Sequence, residues 1–209
     1  QLDRIASLPN DTATRTMQEI YKEPIKAELV AKRIEEIKAG GVLAAASLTP
    51  QRVEEYYQIA LDAGLDVLII QGTVVSAEHV STRVEPLDLK KFISACPVPV
   101  IVGGVASYAT TLHLMRTGAV GVLVGVGPGH ACTTRGVLGI GVPQATAIAD
   151  AAAARVQHVL ETGQYCNVIA DGGMRTGGDV SKAIALGADA VMIGSPLATA
   201  SEAPGRGYH

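Results

Sequence analysis

The run Gly127-Pro-Gly-His-Ala-Cys-Thr-Thr-Arg-Gly136 sets one cysteine among glycines, a proline, two threonines and an arginine. A cysteine attacks as its thiolate, and nearby cations, N–H groups and positive dipoles favour that form. Cys132 is therefore a candidate nucleophile, on a loop where substrate can reach it. Two further stretches have the chemistry of an anion site. Asp171-Gly172-Gly173 and Gly194-Ser195 each follow an apolar run. Their glycines let backbone N–H groups approach a phosphate, and a helix after Asp171–Gly173 would add its positive end. Asp171 itself repels phosphate, so it needs another task, such as accepting hydrogen bonds from sugar hydroxyls. Cys96 and Cys166 precede apolar runs instead of following them, and read as inert residues far from such a site.

Short apolar runs must carry these loops. They are Val42–Ala46, Asp66–Ile70, Pro99–Val102, Val120–Val124, Asn167–Ala170 and Ala188–Ile193. Helical patterns alternate with them, at Lys26–Ala39, Pro50–Ala63, Leu87–Ala95, Tyr108–Thr117, Pro143–Thr162 and Gly178–Leu186. Thr49 before Pro50, and Ser107, are expected helix caps. Gly64, Gly118 and Gly187 are expected helix stops. Runs that are apolar on both faces of the pleat predict parallel strands buried on both sides.

An open doubly wound sheet and a closed eight-stranded barrel both fit this βα alternation. Glycine or small-residue signals follow four successive strands: Gly103-Gly104, Gly125–Gly129, Asp171–Gly173 and Gly194-Ser195. A ring of loops meeting over one ligand explains that better than a single fingerprint in the first turn. The expected fold is α/β, a TIM (β/α)8 barrel. Six βα units predict an incomplete barrel, lacking the first strands and the region after the eighth strand. Residues 1–209 read as a single barrel domain with no internal linker.

Composition narrows the function. Aromatics make up 3% of the chain and tryptophan is absent, so Ala, Val, Ile and Leu must build the core. The formal charge of −3, without a basic run, argues against nucleic acid. No apolar stretch approaches the roughly 20 residues that span a membrane, and no secretion signal opens the chain. Three cysteines without CxxC spacing, and scattered histidines, predict neither a disulfide framework nor a zinc site. A reducing, cytoplasmic setting follows.

These motifs resemble those of the IMP dehydrogenase/GMP reductase family. The cysteine loop Gly125–Arg135, then Gly139–Gln144 and Thr146–Ile148, is similar to its catalytic loop. Val168–Gly173 and Val191–Ser195 are similar to its ribose and phosphate motifs, in the right order. The chain looks like the shorter relatives of actinobacteria and cyanobacteria, with no room near Gly41 for a regulatory CBS domain. The resemblance implies that Cys132 attacks C2 of a purine nucleotide, IMP or GMP, and that Thr134 helps activate water or ammonia. It implies that Asp171 binds ribose, and that His130, Gly172, Gly173, Gly194 and Ser195 form the rest of the nucleotide site. Gln71 and Thr73 fall on the cofactor side, with NAD as cofactor for a dehydrogenase or NADPH for a reductase. Carbonyls of Gly127, Gly129 and Cys132 match those that hold a monovalent cation, usually K+. A homotetramer is the expected assembly.

Departures from the family pattern are as specific. His130 stands where a serine usually touches phosphate, and Gln71 where an aspartate lies near the nicotinamide. Val105 replaces an asparagine and Leu123 an arginine, which places the nicotinamide side and water activation under question. Gly141-Val142-Pro143-Gln144 favours the dehydrogenase branch, because the reductase branch tends to carry an aromatic at Val142. The alternatives are a GMP reductase and a purine-nucleotide-binding relative without turnover. Asp171–Asp179 also resembles the phosphate loop of FMN-dependent barrel oxidases, but the cysteine loop has no role there.

Overall fold

The structure is a computed structural model that describes residues 2–72 and 85–203. Three helices come first: α1 (Leu2–Ala6), α2 (Asn10–Ile20) and α3 (Ala27–Ala39). Strands and helices then alternate as β1 (Ala45–Leu48), α4 (Val53–Asp62), β2 (Val67–Gln71), α5 (Leu89–Ala95), β3 (Val100–Val105) and α6 (Tyr108–Met115). The chain continues through β4 (Gly121–Val124), α7 (Thr134–Leu138), α8 (Gln144–Thr162), β5 (Asn167–Asp171), α9 (Gly177–Ala185), β6 (Ala190–Met192) and α10 (Ser195–Ala198). The six strands among the described residues are all parallel and lie in chain order in one sheet. This is the expected incomplete (β/α)8 barrel, six strands where closure takes eight.

The pleat divides the strand residues between two faces. Leu68, Ile70, Val100, Val102, Val122, Val124, Val168 and Ala170 are buried in the cluster that the helices cover. Ile69, Ile101, Gly103, Leu123 and Ile169 face the other way, toward the barrel interior. A Cβ built on Gly121 would lie 3.4 Å from Ile101 and 3.5 Å from Ile169, which confirms that shared face.

Helix ends follow the sequence signals in most places. Ser107 accepts the Thr110 amide at 3.4 Å and Asp88 accepts the Lys91 amide at 3.0 Å. The Thr49 cap is a correction. Thr49 and Pro50 form a turn in which the Thr49 carbonyl accepts Arg52 and Val53 amides, and α4 starts at Val53 without a side-chain cap. β1 is also displaced from Val42–Ala46, and Val42 and Leu43 are exposed. Its pairing with β2, from Ala45 opposite Val67 to Leu48 opposite Ile70, sets the register.

Two aspartates tie the lower rim. Asp66 accepts the Ala44 amide at 2.7 Å and the Lys38 ammonium at 2.9 Å. Asp189 accepts the Val168 amide at 2.7 Å, the Arg155 guanidinium at 2.6 Å and the Tyr165 hydroxyl at 2.6 Å. Each carboxylate stands on the turn into one strand and caps the start of the strand before it. Cys166 is buried on this rim, and burial pushes its thiol up to about 12. Its burial agrees with the sequence reading of a residue away from the site.

Candidate active site

The loops after β4, β5 and β6 meet at the upper rim. Gly125 can be nothing but glycine. Its φ is +144°, and an added Cβ would strike the Asp171 carbonyl oxygen, Pro128 Cγ at 2.9 Å and Gln144 Nε2 at 3.0 Å. Gly172, at φ +87°, fits under the cysteine loop, where a Cβ would lie 3.1 Å from the Gly129 nitrogen. Part of the glycine signal therefore comes from one loop packing on another. Gly194 is different: a Cβ there would meet nothing within 4 Å. The fold does not demand that glycine.

Two polar side chains that sequence reasoning missed hold the cysteine loop. Arg135 donates Nε to the Val126 carbonyl at 3.1 Å and Nη2 to the Val142 carbonyl at 2.6 Å, closing the loop into a clasp. Gln144, the first residue of α8, donates Nε2 to the carbonyls of Val124 at 2.6 Å and Asp171 at 3.3 Å. It ties the ends of β4 and β5 together beneath the loop. Turning its amide over would set oxygen against both carbonyls, so the orientation is fixed, and the other end, Oε1, is buried without a partner. A polar residue just after Pro143 is the only sequence signal for this strap, and it does not reveal the partners.

Cys132 is exposed at the crest. Its sulfur lies 3.3 Å from Thr134 Oγ1 and its amide donates to the Gly129 carbonyl at 3.1 Å. The Thr134 hydroxyl, then the Thr134 main chain and the Arg135 charge, hold the thiol below its ordinary value. Thr134 begins the short helix α7, and that places its hydroxyl beside the sulfur.

Two cavities adjoin there. One, of about 200 Å³, is walled by Gln71, Gly72, Gly104, the loop Gly125–Gly129, Cys132, Asp171 and Gly172. The other, of about 600 Å³, has His130, Gly172, Gly173, Arg175, Gly194 and Ser195 in its walls, with Cys132 and Asp171 common to both. The structure thus brings together every expected site residue except Thr73, which lies outside the described residues. Asp171 is partly buried. Burial pushes its carboxyl up, and a 2.8 Å hydrogen bond from Gln71 Nε2 pulls it back.

Three expectations change. The positive end of α9 is partly taken up by the chain's own carboxylate. Asp179 closes a capping box with Thr176 and accepts the amides of Arg175 at 3.2 Å and Thr176 at 3.1 Å. Val105 does not reach the cavities, because a register shift after Gly103 turns it into the helix-side core, where it is 2% exposed. Leu123 is fully buried, with its Cβ where a side chain on Gly103 would have to go. Both substitutions are packing features of the wall.

Residues 12–209 match the family model for the IMP dehydrogenase/GMP reductase domain. The chain belongs to that family. An uncharacterized oxidoreductase of Mycobacterium tuberculosis is 50% identical over 94% of this chain and 53% of its own length. The inosine-5′-monophosphate dehydrogenase of Haemophilus influenzae is 38% identical over 91% of this chain and 36% of its own length. A crystal structure of an IMP dehydrogenase/GMP reductase-like protein from Corynebacterium glutamicum is 52% identical, with a TM-score of 0.82, over 91% of this chain and 50% of that one. The chain spans about half the length of the first of these relatives. Among the described residues, no helix is long and apolar enough to cross a membrane.

Proposed function

We propose that this family member supplies the nucleotide-binding and nucleophilic half of an IMP dehydrogenase-like oxidoreductase. The observation that carries the reading is the position of Cys132. An activated, exposed thiol stands where two cavities join, one walled mainly by glycine backbone and one by the two phosphate-type loops.

In this reading the larger cavity takes the nucleotide phosphate on Gly172, Gly173, Gly194, Ser195 and His130. Asp171 accepts a ribose hydroxyl, and the purine lies over Cys132. The open space at Gly194, and its N–H at the start of α10, suit phosphate oxygens. The thiolate adds to C2 of IMP. NAD, when bound, supplies the acceptor for the hydride that leaves C2. Water then releases the product xanthosine monophosphate from sulfur, and the Thr134 hydroxyl beside the sulfur orients that water. The smaller cavity, with Gln71 and Gly72 on its wall, lies on the side expected for NAD.

Main-chain oxygens of Gly127, Gly129 and Cys132 form an all-oxygen donor set suited to a hard monovalent cation such as K+. The Gly129 carbonyl already accepts the Cys132 amide, and its second lone pair remains for such an ion.

The test is NADH formation from IMP and NAD by the full-length protein, with and without K+, beside a GMP and NADPH arm. The expected result is K+-stimulated NADH formation that Cys132→Ala abolishes while IMP still binds. Silence in the IMP arm with NADPH oxidation in the GMP arm overturns the assignment in favour of the reductase. IMP and GMP binding without turnover in either arm leaves a nucleotide-binding relative.

A further inference from the structure

Gln71 and Asp171 stand at the upper ends of β2 and β5, three strands apart. Strands lie about 4.8 Å apart, so a flat sheet would hold these two backbones about 14 Å from each other. Two short side chains do not bridge that distance, yet Gln71 Nε2 and Asp171 Oδ2 are 2.8 Å apart. The contact exists because the sheet curls and because the neighbour beside each residue is a glycine without a side chain. β3 offers Gly103 opposite Gln71, and the chain leaves β4 through Gly125 beside Asp171. Gln144 grips the Asp171 carbonyl from below at 3.3 Å. Two glutamines from separate elements therefore fix one aspartate, one by its side chain and one by its backbone.

The bond has a consequence for recognition. A free carboxylate has two oxygens and rotates about its own bonds. Here the bond from Gln71 to Oδ2 holds the rotamer, and Oδ1 is the oxygen that this bond leaves unpaired on a residue of the cavity wall. The titratable side chains that share the cavity wall with it are Cys132 and His130 from the loop after β4 and Arg175 from its own loop. On the β2 side the neighbour is a neutral amide that donates.

We infer that Gln71 is a positioning residue for sugar recognition, acting through Asp171: its amide fixes the carboxylate so that one oxygen meets a ribose hydroxyl. This rests on the nucleotide reading of the site. It moves Gln71 from a direct cofactor contact to support of the substrate side.

The test has a ligand-free arm and a binding arm, both on the full-length protein. In the ligand-free arm, the Gln71 side-chain amide proton is expected downfield in the NMR spectrum and shifts upfield in Asp171→Ala. In the binding arm, calorimetry at pH 8 compares inosine 5′-monophosphate with its 2′,3′-dideoxy counterpart. The wild type is expected to prefer the ribonucleotide. Gln71→Met removes the donor and cuts that preference about tenfold, the scale of one hydrogen bond to a charged group. Gln71→Glu keeps the shape but sets two carboxylates together, so it cuts the preference further. A role in packing alone would make Gln71→Glu the milder change, and that order overturns the inference. So does an amide signal unmoved by Asp171→Ala, or a preference unchanged in Gln71→Met. Failure of the wild type to bind either nucleotide is a different result: it refutes the nucleotide reading and takes the inference with it.

Discussion

Gly125→Ala is the sharpest test of how the site is built. Gly125 sits at φ +144°, where an L side chain is strained by about 1–2 kcal/mol. The new methyl would also meet the Asp171 carbonyl oxygen, which is main chain and cannot swing aside. Pro128 Cγ at 2.9 Å and Gln144 Nε2 at 3.0 Å are the other obstacles. Relief requires the β4 and β5 ends to part, which breaks the hydrogen bond from Gln144 to Val124, worth about 0.5–1.5 kcal/mol net. Together these come to about 3 kcal/mol, a fall in Tm of roughly 3–6 °C in a protein of the relatives' length. Differential scanning calorimetry of the full-length protein measures it. Gly136→Ala is the internal control. That glycine lies inside α7 with open space around its Cα, so alanine there should be neutral or raise stability by up to about 1 kcal/mol. If Gly125→Ala melts within about 1 °C of the wild type, the packing account of the loop is wrong.

Other outcomes follow from the same geometry. With iodoacetamide near neutral pH, Cys132 should react first and Cys166 not at all, as peptide mapping by mass spectrometry would show; fast labelling of Cys166 in the folded protein would contradict its burial. Thr134→Val removes the largest contributor to Cys132 activation, so the alkylation rate profile should move to higher pH; an unmoved profile would assign the activation elsewhere. Asp189→Asn weakens three hydrogen bonds on the lower rim and should cost about 2–4 kcal/mol in urea unfolding, without changing Cys132 labelling. The Arg116 guanidinium, then Gln157, hold Glu161 down to about 2 from 4.5. A depressed carboxyl contributes its stability in full above its unfolded value and loses it as pH falls through the folded one. Arg116→Gln should therefore flatten the stability profile between about pH 4.5 and 2. A wild-type slope in that window would show the pair to be irrelevant.

Much of the fold was legible because each signal was local. Alternating apolar runs and helical patterns located all six strands, and caps such as Ser107 and stops such as Gly64 and Gly187 fell where helices begin and end. Failures came where a distant partner decided. Pairing with β2 moved β1 past Val42 and Leu43, although those residues are as apolar as the ones it kept. The short helices α7 and α10 carry too few residues to show a period.

The sequence by itself determined the chemistry available: a cysteine in a glycine loop, two phosphate-type turns after successive strands, and a single carboxylate in the first of those turns. Those are properties of residue type and neighbours, and the chain carries them without being folded. Only the tertiary structure decided who holds whom. The curl of the sheet brought Gln71 onto Asp171 across the two strands between them, and the start of α8 put Gln144 under the cysteine loop. Asp179 claimed the end of α9 for itself, and a register shift hid Val105. Each of these depends on distances between residues far apart in the chain, which side-chain type and spacing do not encode. That is why the motif names the candidate nucleophile but leaves its supports to the fold.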